Sequence, residues 1–126
     1  MYTDRRLRKE ERLNSKLEID LVFSKGRMVH SGAISAKYLY VENGSGKIRI
    51  MITVPKKKFK KAVSRNLLKR RVREAYRLLK PSFNGSEIDP STDLHLALIY
   101  NTKQETAFGD LSNDLSNVFQ RIFDKK

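Results

Sequence analysis

The stretch Lys56–Arg73 reads KKKFKKAVSRNLLKRRVR, and ten of its eighteen residues are Lys or Arg while none is acidic. So much positive charge in one stretch is unfavourable unless a negative partner neutralises it, and nucleic acid is the commonest such partner. Apolar residues are threaded through the stretch at helical spacing. The pattern therefore predicts a basic helix on a folded surface rather than a disordered tail.

On a helical wheel, the predicted helix from Ala62 to Lys80 separates into an apolar stripe and a basic face, and Pro81 ends it. A solvated charged face is the ordinary explanation of such a run. Here no acidic residue occurs before Glu74, so ion pairs along the helix are scarce and like charges repel. We therefore interpret the face as a phosphate-binding surface. The stripe comprises Leu68, Val72, Ala75, Tyr76 and Leu79, and the face comprises Arg65, Asn66, Lys69, Arg70, Arg73 and Arg77.

Charge is unevenly distributed along the 126 residues, whose formal net charge is +13. Residues 1–81 hold 23 basic and 7 acidic residues, a net of +16, whereas residues 82–126 hold 4 and 7, a net of −3. The length suits one domain, 1–126, with a single core. One basic face on such a domain is typical of a protein that docks on RNA or DNA with one side.

Several classes of protein and site are disfavoured by the composition. The absence of cysteine excludes disulfides and thiolate metal sites, and it fits a cytoplasmic protein. We see neither a signal peptide nor an apolar run of membrane-spanning length, so no membrane partner is expected. His30 and His95 have no partner at metal-ligand spacing, and the acidic residues form no two-metal pattern. We therefore predict no catalytic residue and no metal ligand in the protein alone.

The flanking segments predict an α+β two-layer sandwich, with helices packed on a mixed sheet of about four strands. Ser15 and Glu18 have capping-box spacing and start a helix that ends at Gly26. Arg27–His30 is a candidate short strand, and the strands 34–41 and 47–54 are predicted to form a hairpin. A nearly continuous apolar run, 94–100, is predicted to be a central strand, and 108–123 an amphipathic helix. Residues 1–12 are predicted to form a mobile basic arm.

Two groups outside the basic helix, and Asn66 within it, are candidates for contacts with RNA bases. Ile19 and Phe23 lie one turn apart, which ordinarily means core packing but also suits a platform for an unpaired base. Tyr38 and Tyr40 lie on the same predicted strand as Lys37. Such a mixture of aromatic and basic residues is seen where sheets bind single-stranded nucleic acid, although Tyr is also a common strand residue. Asn66 is either an ordinary surface residue or a hydrogen-bonding partner of RNA edges.

The central motif resembles the signature of the bacterial ribonuclease P protein component, K-K…A-V-x-R-N-x-x-K-R-x-x-R-E. It runs from Lys56-Lys57 through Ala62-Val63, Arg65-Asn66 and Lys69-Arg70 to Arg73-Glu74. The first helix is similar as well, with Arg12-Leu13, Val22-Phe23 and Gly26 at matching places. The chain departs from the pattern in three places: Leu67 replaces an Arg, Ile19 replaces an aromatic residue, and the pair Lys60-Lys61 replaces Gly-Asn.

The resemblance implies the order αβββαβα with a left-handed crossover through the basic helix, against the usual right-handed rule. It implies a subunit of a tRNA 5′-processing endoribonuclease, whose catalytic RNA, with bound Mg²⁺, removes the 5′ leader of precursor tRNA. The leader would lie between the first helix and the sheet, at Ile19 and Phe23 and at either Lys37 or Tyr38. The catalytic RNA would contact Lys56, Lys57, Lys58, Lys60, Lys61, Arg65, Asn66, Lys69, Arg70 and Arg73.

Two other functions share these features. A structural ribosomal protein has the same size, charge and lack of catalytic groups. A DNA-binding regulator would need a helix-turn-helix arrangement, which the segment before the basic helix does not provide, so no DNA partner is expected. Apart from RNA, the protein is predicted to be monomeric.

Overall fold

The computed structural model describes residues 11–42, 44–82 and 88–124. Its elements follow the order αβββαβα, which confirms the predicted α+β class and order. They are α1 (Lys16–Lys25), β1 (Arg27–Ser31), β2 (Ile34–Glu42), β3 (Ile48–Thr53), α2 (Ala62–Leu79), a 3-10 turn (Lys80–Ser82), β4 (Thr92–Tyr100) and α3 (Phe108–Asp124).

The first helix begins and ends at the predicted residues. The Ser15 hydroxyl accepts a hydrogen bond from the Glu18 N–H at 3.4 Å, which satisfies one of the free donors of the first turn. At the other end, a Cβ on Gly26 would overlap the Val22 carbonyl oxygen and lie 2.9 Å from that of Tyr38. Glycine at this position therefore lets β1 begin directly after α1.

The sheet has the strand order β1-β2-β4-β3, so the predicted hairpin of β2 and β3 is wrong. β2 pairs antiparallel with β1 and β4, whereas β3 pairs with β4 in parallel. β4 occupies a central position because its side chains are buried on both faces, whereas β3 has a single buried residue and lies at an edge. The parallel pair makes β3–α2–β4 a crossover unit, and its hand stays a prediction from the resemblance.

The connection between β2 and β3 is held to the start of β4 by Asp93. One carboxylate oxygen of this buried residue accepts from the N–H groups of Ser45, at 2.8 Å, and Lys47, at 3.0 Å. The Arg49 guanidinium lies 3.9 Å from the other oxygen. Burial raises the pKa of Asp93, but these donors and the Arg49 charge outweigh it and leave the pKa below its usual value.

The main core lies between the sheet and the pair α2–α3. Leu68, Val72, Ala75 and Tyr76 of α2 are buried as the wheel predicts, together with Leu111, Leu115, Val118, Phe119 and Ile122 of α3. The Tyr76 and Phe119 rings stack with their centroids 5.8 Å apart. α1 packs on the opposite face, where Val22 forms a smaller core with Leu13 and Ala97. The predicted sandwich thus gains a partial third layer.

The segment before α1 is attached to the sheet edge. Arg12 forms a parallel bridge with Ile50, and the Leu13 N–H donates to the Ile50 carbonyl at 2.8 Å. The Glu11 carboxylate pairs with Lys80 at the end of α2. These contacts involve residues 11 and 12 of the predicted mobile arm 1–12, and its residues 1–10 lie outside the described part. Among the described helices, none is long and apolar enough to cross a membrane.

Candidate nucleic-acid interface

The polar side of α2 carries cations that no described residue neutralises. Asn66 and Arg70 are exposed, and Lys69 and Arg73 are half-buried at the edge of the apolar stripe. Within the described residues, Lys69, Arg70 and Arg73 take part in no ion pair. A helix face with unpaired cations is electrostatically suited to phosphate.

Further along α2, Arg77 does have an anionic partner. It binds the Glu74 carboxylate through two nitrogen–oxygen contacts, of 3.1 and 2.6 Å. The hydrogen bond to Glu74 raises the pKa of Arg77 above its ordinary value. Among the described residues, the cations of this face that make no ion pair therefore lie before Glu74 along α2.

The lysine-rich loop that precedes α2 is anchored by one aromatic side chain. The Phe59 ring packs edge-on against Tyr100, with centroids 5.6 Å apart, and the N–H groups of Lys58 and Phe59 both donate to the Pro55 carbonyl. The loop therefore directs an aromatic ring into the core and most of its ammonium groups into solvent. The exposed lysines are Lys56, Lys57, Lys60 and Lys61, and Lys58 is half-buried.

Arg65 joins this loop to the first turn of α2. One of its terminal guanidinium nitrogens lies 2.9 Å from the carbonyl oxygens of both Phe59 and Lys60 and donates to them. Arg65 is half-buried, so it is a positioning residue as well as a candidate phosphate ligand, since a guanidinium has five N–H donors. The sequence did not reveal this role, because a bond from a side chain to a backbone carbonyl leaves no periodic signal.

The start of α2 adds to the positive potential of the loop. Lys61 occupies the N-cap position without a side-chain cap, and the first turn contains no acidic residue. The free N–H groups of the first turn form the positive end of the helix dipole, which normally favours an anion. A lysine there is unfavourable in the isolated protein and becomes favourable when phosphate is bound.

On the other face of the sheet, three of the four predicted leader-binding residues lie near one another. Ile19 is half-buried against the small core under α1, whereas Phe23, one turn further along, is 37% exposed. The Lys37 ammonium group donates to the Phe23 carbonyl at 2.7 Å. The structure thus brings an exposed ring and a cation together at the end of α1.

Tyr38 does not belong to this group. It is only 4% exposed, lies in the main core on the α2–α3 side, and meets the Tyr40 ring edge-on with centroids 6.2 Å apart. Successive strand residues point to opposite faces, so Lys37 and Tyr38 cannot share one. Of the two alternatives that the sequence left open, Lys37 is therefore the residue that lies on the α1 face beside Phe23, whereas Tyr38 is buried on the other face.

Neither histidine has the surroundings of a metal ligand. His95 is buried under α1 with its Nε2 3.9 Å from a Glu18 carboxylate oxygen, and burial lowers its pKa despite the nearby carboxylates. The His30 Nδ1 lies 2.8 Å from the Ser35 hydroxyl. Over the three described ranges, no group of three His, Asp or Glu side chains is placed to hold a metal ion. His95 is thus a packed residue of the small core.

The fold and this surface define a small basic α+β protein of the RNA-binding class. Residues 7–123 match the family model described as Ribonuclease P. The chain therefore belongs to the ribonuclease P protein family.

Two curated relatives, each named ribonuclease P protein component, agree with this assignment. The one from Picosynechococcus is 32% identical over 98 residues, which cover 78% of each chain. The one from Porphyromonas gingivalis is 40% identical over 79 residues, or 62% of this chain, and the match spans 58% of that relative's length.

Two solved structures share the fold. The RNase P protein from Thermotoga maritima is 27% identical, with a TM-score of 0.67 over 88% of this chain and 96% of that one. A mutant RNase P protein from Staphylococcus aureus superposes with a TM-score of 0.70, covering 90% of this chain and 89% of its own; at 24% identity it shows the fold alone.

Proposed function

We propose that this chain is the RNA-binding subunit of a ribonuclease P that removes the 5′ leader of precursor tRNA. The observation that carries the proposal is the basic surface of α2 and its preceding loop, in which Lys69, Arg70 and Arg73 make no ion pair among the described residues, on a chain that belongs to this family. The relatives' name, protein component, denotes one part of a larger enzyme. We assign hydrolysis, and most of the bound Mg²⁺, to a catalytic RNA.

Two opposite faces of the sheet allow two RNA contacts at once. α2 packs on one face and α1 on the other, so the basic surface and the Phe23–Lys37 pair do not compete for space. We assign the catalytic RNA to Lys56, Lys57, Lys58, Lys60, Lys61, Arg65, Asn66, Lys69, Arg70 and Arg73. We assign the leader to Ile19, Phe23 and Lys37, where the ring offers a stacking surface and the ammonium group offers a phosphate partner.

The decisive experiment combines the purified protein with a bacterial ribonuclease P RNA and precursor tRNA at low Mg²⁺. We expect leader removal at Mg²⁺ concentrations where the RNA alone is poor, because the basic surface replaces part of the cation needed to bring two RNAs together. The measurement is the cleavage rate of labelled precursor as a function of Mg²⁺. Robust cleavage by protein freed of all RNA would contradict the proposed division of labour.

A structural ribosomal protein, the other function that the composition allowed, is not supported by the family match. The two functions differ in the RNA that accompanies the protein from cells. We expect one free RNA of the ribonuclease P type to co-purify with it. Co-purification with ribosomal subunits would favour the ribosomal function.

Replacing Phe23 by Ala tests the leader contact. Base–aromatic stacking contributes about 1–3 kcal/mol, so we expect the assembled enzyme to bind precursor tRNA about five- to a hundredfold more weakly. Mature tRNA has no leader and is expected to bind as before. The measurement is the dissociation constant of each tRNA with the protein–RNA complex.

Leu21→Ala is the matched control for Phe23→Ala, because Leu21 lies on the same helix and is 38% exposed, against 37% for Phe23. It is expected to leave both affinities unchanged. Circular dichroism establishes that each variant is folded. Equal losses for precursor and mature tRNA, or no loss for either, would remove the stacking role.

A further inference from the structure

A groove of about 340 Å³ opens between α2 and the first turn of α3. Its lining consists of Leu67, Arg70, Arg71, Glu74 and Phe108. Phe108 is the first residue of α3 and is 37% exposed, and a Cβ added at the neighbouring Gly109 would meet nothing within 4 Å. The groove therefore offers an accessible aromatic ring and an aliphatic side chain next to two arginines.

The chain that leads into Phe108 is held in place before any ligand arrives. The Arg71 guanidinium donates to the Thr106 carbonyl at 3.2 Å and lies 3.9 Å from the Glu105 carboxylate. The buried Tyr100 hydroxyl accepts from the Thr106 N–H at 2.8 Å and lies 2.7 Å from the Thr106 hydroxyl. A ligand in the groove thus has little loop ordering to bring about, which favours affinity.

The charge around the groove suits a phosphate at its rim. Arg70 is exposed and makes no hydrogen bond or ion pair within the described residues. Glu74 is bound by Arg77, and Glu105 lies beside Arg71, so three arginines stand against two carboxylates. Arg70 also belongs to the basic face of α2, which makes the groove continuous with the proposed RNA-docking surface.

We infer that this groove receives an unpaired nucleobase of the RNA partner, stacked on Phe108 and packed against Leu67, with its phosphate on Arg70. An aromatic ring beside arginine is the combination with which proteins hold single-stranded bases. An apolar side chain of a protein partner would use the Phe108 ring but would leave Arg70, which makes no ion pair among the described residues, without a role. The inference rests on the proposed function insofar as the RNA is that of ribonuclease P.

The first experiment measures binding of a ribonuclease P RNA transcript to the wild type, Phe108→Leu and Phe108→Tyr. Leucine keeps an apolar side chain but removes the ring, so affinity is expected to fall about five- to a hundredfold, whereas tyrosine retains stacking and affinity. The slope of log affinity against log salt should be unchanged in Phe108→Leu, because no phosphate contact is lost. In Arg70→Ala the slope should become shallower by about one.

Leu78→Ala is the matched control, because Leu78 is an apolar residue of α2 that is 56% exposed and does not line the groove. It is expected to bind the transcript like the wild type. If wild-type protein binds and Phe108→Leu binds equally well, the inference is overturned. It is also overturned if Phe108→Tyr loses as much affinity as Phe108→Leu, because the ring would then not be the feature that matters.

A second experiment does not depend on ribonuclease P RNA. A short single-stranded RNA oligonucleotide containing 4-thiouridine is irradiated with the protein, and cross-linked peptides are identified by mass spectrometry. We expect a cross-link in the tryptic peptide 104–121, which contains Phe108, and its loss in Phe108→Leu. No cross-link there would overturn the groove as a base site. If the cross-link forms but the transcript does not bind, the proposed function fails while the base site stands.

Discussion

Raising the salt concentration from 50 to 200 mM is expected to weaken binding of a ribonuclease P RNA by about 250- to 1,000-fold. Contact with about six phosphates gives a log–log slope near −4 to −5 through release of counterions. The structure supports so large an electrostatic share, because four loop lysines are exposed and Lys69, Arg70 and Arg73 have no anionic partner in the described residues. The measurement is the dissociation constant across a salt series at constant Mg²⁺.

Variants show whether this salt dependence arises at the basic surface. Lys69→Ala removes one contact and should make the slope shallower by about one. Leu78→Ala changes an exposed apolar residue of the same helix and should leave the slope as it is. A nearly flat salt dependence of the wild type would mean that the basic helix is not the docking surface.

Leu68→Ala is expected to lower the free energy of unfolding by about 2–5 kcal/mol, because its side chain is fully buried in the main core and truncation leaves a cavity. Lys69→Ala, at the next position, should change that free energy by less than about 0.5 kcal/mol, as is usual away from the core. For RNA docking we expect the reverse, with a larger loss of affinity in Lys69→Ala than in Leu68→Ala. Chemical denaturation measures the free energy of unfolding. The affinity for the RNA transcript is measured under conditions in which each variant is folded.

Comparable losses of stability in Leu68→Ala and Lys69→Ala would show that the two sides of α2 are wrongly assigned. Lys69 is a better partner for this comparison than Arg65, which the wheel places on the same basic face. The Arg65 guanidinium holds the carbonyls of Phe59 and Lys60, so Arg65→Ala is expected to disturb the loop as well as the charge. A loss of RNA affinity in Arg65→Ala could therefore not be divided between the removed charge and the disturbed loop.

The sequence by itself determined the elements and the basic surface to which we assign RNA docking. Helical spacing of Leu68, Val72, Ala75, Tyr76 and Leu79 identified the buried side of α2 and hence its basic side, and the structure buries the first four and half-buries Leu79. The capping residue Ser15 and the amphipathic pattern of α3 were equally local signals. The motif around Arg65-Asn66 indicated the family that the comparisons confirm. Each of these signals depends only on neighbours a few positions apart.

Only the tertiary structure decided which elements meet. Alternation in β3 identifies its apolar face but not its neighbour, and two short strands next to each other in the chain suggested a hairpin that does not form. β3 pairs with β4 instead, through contacts between residues far apart in sequence. β4 takes the central position because it is the strand that can be buried on both faces. The same pairing and the packing of α1 decided that Lys37, and not Tyr38, lies beside Phe23. The groove between Leu67 and Phe108 likewise exists only because α2 and α3 pack together.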